Sequence, residues 1–79
     1  MAKFDGYVRK GDKVKVQAHG IVVEGEATTV DHSTDWKTKE RSFDLHIKTA
    51  SNLHRWRSEL DGGQLLEVNG EAVTWPVKG

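Results

Sequence analysis

Apolar and polar residues alternate cleanly from Lys13 to Ala18. Val14, Val16 and Ala18 fall on one side and Lys13, Lys15 and Gln17 on the other, the period of a strand with one buried and one wet face. His19-Gly20 interrupts the run and Ile21-Val22-Val23 resumes it, which predicts a β-hairpin with Gly20 in a backbone conformation that other residues avoid. In the second strand Ile21, Val23 and Ala27 share a parity with Gly25, and a glycine in that position predicts a bulge or a bend. Phe43, Leu45 and Ile47 alternate with Asp44, His46 and Lys48, the clearest strand in the chain. Asn69-Gly70 is the favoured type I′ pair and predicts a further hairpin over residues 64–75. That turn sets Val68 opposite Glu71 and Leu66 opposite Val73, so Leu66, Val68, Val73 and Trp75 share a face until Pro76 ends the strand.

Three stretches do not follow the alternation. Residues 31–41, DHSTDWKTKER, read as one long polar loop. Residues 53–60, LHRWRSEL, fit a strand ending at an Asp61-Gly62-Gly63 connection, and also the i, i+3, i+7 spacing of a two-turn helix through Leu53, Trp56 and Leu60; the strand is the preferred reading. Residues 1–10 and 76–79 read as frayed ends, with Tyr7 as the anchor wherever the first of them crosses the fold. The whole predicts one all-β domain over residues 1–79, a small barrel of five or six short antiparallel strands.

Composition narrows the class further. At 79 residues the chain is near the lower size limit for a single apolar core, and it has no cysteine, which removes disulfides and thiolate metal sites. No segment resembles a signal peptide or approaches the ~20 apolar residues of a membrane span, so a soluble cytoplasmic protein without membrane contact is expected. Twelve basic and twelve acidic residues cancel. They are unevenly spread: residues 19–35 hold four acids and no Lys or Arg, whereas residues 36–60 hold six basic and three acidic residues. Dedicated nucleic-acid binders are usually strongly basic, because affinity comes largely from displacing phosphate counterions.

The opening, KGDKVKV followed by GIVVEGEAT, resembles the first two strands of SH3-like small barrels, where a basic-then-Asp turn precedes an alternating strand and a glycine-bent second one. The resemblance covers about a quarter of the chain and implies a module that binds nucleic acid, peptides or partner domains.

Catalytic and metal chemistry find little to work with. Asp31, His32 and Asp35 are the densest group of potential ligands, but no second pair stands at a recognisable spacing. Ser33 beside His32 cannot assemble a triad from adjacent loop residues. The expectation is therefore a non-enzymatic protein without metal or cofactor. Trp56 lies between Arg55 and Arg57, an arrangement suggestive of base stacking, yet on a strand the arginines face away from the indole, which reads as core together with Trp75. Trp36 stands alone among polar residues, and with Lys37, Lys39 and Arg41 it forms either an aromatic and cationic binding arm or an indole folded back over the barrel end. Trp36, Lys37, Lys39, Arg41, Arg55 and Arg57 are thus the candidate binding residues. Near-zero net charge favours a partner protein or a second copy of the chain; the alternative is nucleic acid held by those Lys and Arg residues.

Overall fold

A computed structural model describes residues 4–78. It is all-β, with one antiparallel sheet of six strands: β1 (Lys13–Ala18), β2 (Ile21–Thr34), β3 (Arg41–Lys48), β4 (Leu53–Arg57), β5 (Gln64–Val68) and β6 (Glu71–Ala72). A single helical turn, α1 (Ser58–Asp61), joins β4 to β5. Spatial order is β4-β3-β2-β1-β5-β6, so all neighbours but one are sequence-adjacent hairpins, and β5 returns across the sheet to pair with β1.

The shared member is β2, 14 residues long. Its first part, Ile21 to Glu26, pairs with β1, and its remainder, Glu26 to Thr34, pairs with β3. Register shifts between Ala27 and Thr29, so the bulge falls at Thr28 and not at Gly25. Gly25 serves a different purpose: the main chain at the end of β3 passes so close that a Cβ there would overlap the Lys48 carbonyl. Strands on both sides of this bend contribute to one core. Val14, Val16, Leu65 and Val68 come from β1 and β5, and Phe43, Leu45, Ile47 and Trp56 from β3 and β4.

The alternation places β1 and β3 correctly: Val14 and Val16, then Phe43, Leu45 and Ile47, are buried. Both His19 and Gly20 take positive φ in the first turn, and Asn69 and Gly70 do so in the last, with Val68 paired to Glu71 as the turn type requires. One inward position differs from expectation. Lys15 pairs with Glu67 but Val16 pairs with Leu65, so Leu66 is the extra residue of a second bulge, and Leu65 rather than Leu66 enters the core.

Residues 53–60 divide between the two readings. Leu53 to Arg57 is strand β4, and Ser58 begins α1, which ends at Gly62 with φ 71°. Trp56 is 3% exposed, and its indole N–H donates to the Gly62 carbonyl at 2.8 Å. The turn is fastened at its start, where the Arg57 amide donates to Asp61 at 2.8 Å and the Phe43 amide donates to Ser58 Oγ at 2.9 Å.

The ends are not frayed within the described residues. Val8 and Val77 are buried, and Phe4 packs against the core. Gly11 donates to the Ala27 carbonyl at 2.7 Å, and the Arg41 amide donates to the Val77 carbonyl at 2.8 Å. The Trp75–Pro76 bond is cis. Residues 1–3 and 79, also read as frayed, lie outside the described residues.

Candidate functional site

Residues 31–41 are not one loop. Asp31 to Thr34 continue β2, Arg41 opens β3, and only the six residues 35–40 form the turn. This turn is built on Asp35. Its amide donates to the Glu40 carbonyl at 2.9 Å and its carbonyl accepts from Lys39 at 2.8 Å. Its carboxylate accepts from the amides of Lys37 at 2.7 Å and Thr38 at 3.1 Å, the arrangement of an Asx turn. Those two amides, Thr38 first, hold the Asp35 carboxyl below the usual carboxylate range, because they bond only its ionised form well. Lys39 takes φ 64°, the left-handed residue that lets the chain turn back.

Trp36 is displayed on this turn with 76% of its surface exposed. The nearest cation is Lys37, whose ammonium lies 5.2 Å from the ring centroid. The indole therefore stands outward and does not fold back over the barrel end. Among the described residues neither Lys37 nor Lys39 has an acidic partner within ion-pair distance. Trp36, Lys37 and Lys39 thus share one exposed turn, cationic and aromatic, whose backbone is hydrogen-bonded to Asp35.

The other three candidate residues are occupied elsewhere. Arg41 is 7% exposed and is a structural residue, which corrects its assignment to the binding arm. Its parity is that of Phe43, Leu45 and Ile47, so its side chain enters the fold. There the guanidinium donates to the Gly6 carbonyl at 2.6 Å and lies 4.0 Å from the centre of the Tyr7 ring, which meets His32 edge-on at 5.1 Å. Arg55 is exposed but clasped by Asp44 in a two-pronged pair, with bonds of 3.1 and 2.7 Å. That pair holds the Asp44 carboxyl below its ordinary value. Arg57 faces Asp61 at 3.7 Å.

The outward face of the sheet is largely self-neutralising. Lys15 lies 3.2 Å from Glu67 and 3.5 Å from Glu24, so a surface depression of about 640 Å³ between β1, β2 and the 48–50 turn is already internally paired. The outward face of the β2–β3 hairpin is less balanced. Asp31 stands directly opposite Asp44, and Ser33 opposite Ser42, over a depression of about 260 Å³ bounded by Glu59 and Leu60 of α1. Ser42 Oγ donates to Glu59 at 2.7 Å, and Leu60 is 72% exposed. Sequence reasoning missed this second surface because Leu60 was grouped with Leu53 and Trp56 by helical spacing and Asp31 and Ser33 were read as loop.

Among the described residues no three His, Asp or Glu side chains converge as a metal site, and no helix is long and apolar enough to cross a membrane. Comparison of the chain with protein-family models, curated proteins and solved structures gave no match.

Proposed function

We propose that this chain is a non-enzymatic binding module of the SH3-like small-barrel type, docking a partner protein through the β2–β3 tip. The observation that carries the reading is Trp36, 76% exposed on a turn shaped by four hydrogen bonds of Asp35, three accepted and one donated. Exposing an indole to water is unfavourable, and fixing it in advance lowers the entropy lost on docking, so the arrangement suits an anchor that enters a pocket on a partner. The return of β5 beside β1 and the single turn between β4 and β5 support the SH3-like reading. Pairing of Arg55 with Asp44 and burial of Arg41 leave Lys37 and Lys39 as the cations of the tip, few for a surface that must follow a phosphate backbone.

The test is selection of peptides from a displayed library by the wild-type protein and by Trp36→Ala, alongside titration with a mixed-sequence oligonucleotide at low and moderate salt. Peptides retained by the wild type and lost by the variant are expected. Peptide binding indifferent to Trp36 overturns the site; shifts of the Trp36 indole signal caused by the oligonucleotide and reversed by salt replace the protein partner with nucleic acid.

A further inference from the structure

Asn69 does more than supply the positive φ of the last turn. Its main-chain N–H donates to the Lys13 carbonyl at 2.7 Å, and its side-chain Oδ1 accepts the Lys13 N–H at 2.9 Å. Its Nδ2 donates to Asp12 Oδ1 at 3.1 Å, while Asp12 Oδ2 accepts the Arg9 amide at 2.9 Å. One side chain thereby joins the β5–β6 turn to the start of β1 and to the segment that leads into it. This clasp has a fixed polarity, because the amide must accept from Lys13 and donate to Asp12 at the same time.

The next residue makes that amide chemically labile. Gly70 has no side chain to shield its nitrogen, nothing lies within 4 Å of the place a Cβ would take, and both residues are exposed. Attack on Asn69 forms a bond from the Gly70 nitrogen to Cγ and breaks the Cγ–Nδ2 bond. The departing nitrogen takes up the proton given up by the Gly70 amide and leaves as ammonia. Water then opens the cyclic imide at one of its two carbonyls, giving aspartate or isoaspartate. Neither product closes the clasp. Aspartate lacks the donor and sets a second carboxylate against Asp12. Isoaspartate adds a methylene to the main chain of a two-residue turn, whose pairing of Val68 with Glu71 leaves no room for one.

We propose that Asn69 is a site of spontaneous deamidation guarded by its own clasp. The reaction needs the side chain free to swing toward the Gly70 nitrogen, and the bonds to Lys13 and Asp12 restrain it. Opening of the β5–β6 turn permits the reaction, and the reaction leaves the turn unable to refasten. The device runs one way, and it is independent of what the Trp36 turn binds.

The test holds the wild-type protein at mildly alkaline pH, folded or in urea, and follows conversion by peptide mass spectrometry. Asn52, followed by the bulkier Leu53, is the internal reference. Asn69 is expected to convert at least about tenfold more slowly in the folded protein than in urea, and faster in folded Asp12→Ala, which removes one arm of the clasp. Asn69→Asp is expected to lower the urea midpoint. Adding Asp12→Asn to it supplies a donor opposite the new carboxylate and removes the second charge, so the double variant is expected to recover most of the loss. Equal conversion rates in the folded and unfolded protein, or a double variant no more stable than Asn69→Asp alone, overturns the proposal; both readouts stand without Asp12→Ala should that variant fail to fold.

Discussion

Arg41→Ala isolates the buried cation that ties the amino-terminal segment to β3. The side chain makes one short charge-assisted bond, 2.6 Å to the Gly6 carbonyl, and one long one, 3.4 Å from its Nε–H to Thr34 Oγ1. It also stacks on Tyr7 at 4.0 Å. A hydrogen bond from a charged donor contributes about 1.5–3 kcal/mol and a partly desolvated cation–π contact about 0.5–2 kcal/mol. Returning the guanidinium to water recovers some of its desolvation cost, so the net loss is about 2–4 kcal/mol. A chain of this size has roughly 4–12 kcal/mol in total, and the melting temperature should drop by about 10 °C or more. Urea unfolding followed by tryptophan fluorescence measures the loss. A double-mutant cycle with Tyr7→Leu then separates the stacking, with a coupling of about 0.5–2 kcal/mol expected. A change below about 0.5 kcal/mol for Arg41→Ala, with Trp36-dependent binding lost, would return Arg41 to the binding surface and refute its structural role.

Trp36→Ala should change stability by less than about 0.5 kcal/mol, whereas Trp56→Ala should cost about 3–5 kcal/mol; similar urea midpoints for the two would contradict their opposite placement. Gly63→Ala combines φ 77° with a Cβ overlapping the Gln17 carbonyl, and should cost about 2 kcal/mol or more, while Gly70→Ala, at φ 84° in open space, should cost about 1 kcal/mol. Equal melting temperatures would show that the Gly63 approach is looser than described. The carboxyls of Asp35, Asp44 and Asp61 are depressed in the folded state, by turn amides, by Arg55 and by the Arg57 amide respectively. Their stabilisation is complete above the unfolded value of about 3.9 and is lost as pH falls through the folded values, so urea midpoints should decline below about pH 4, and less steeply in Asp35→Asn. A midpoint that rises on acidification would contradict the sign.

Legibility in the sequence followed burial. Where one face of a strand meets the core, as in β1 and β3, alternation identified both the strand and its inward residues. Beyond Val30 both faces of β2 are wet or half-wet, the apolar signal fades, and Asp31 to Thr34 looked like loop although ladder hydrogen bonds hold them. The Leu65 and Leu66 exchange came from a bulge, and two adjacent leucines give no parity to choose between them. Val8 and Val77 are single apolar residues in polar surroundings, so no periodicity announced that the ends pack. Arg41 was different. Its parity with Phe43, Leu45 and Ile47 points inward, but the loop was read as running through residue 41, so Arg41 was left outside the strand whose alternation would have placed it. Of the candidate site, the tip residues Trp36, Lys37 and Lys39 were recognisable from composition, and the depression beside α1 was not, because it is assembled from β2, β3 and α1.

The position of β5 bears on how the chain reaches its native state. β1 through β4 are linked in series by short turns and can assemble by local zippering, one hairpin at a time. Nothing in that series encloses Val14 and Val16 on the side where β5 belongs. Enclosure needs contacts such as Lys13 with Asn69, separated by 56 positions, and the ordering entropy for so distant a meeting is spent before its contacts form. Residues 64–78 therefore act as a latch: without them β1 to β4 would leave the apolar side of β1 open, and this segment is the one that shuts it.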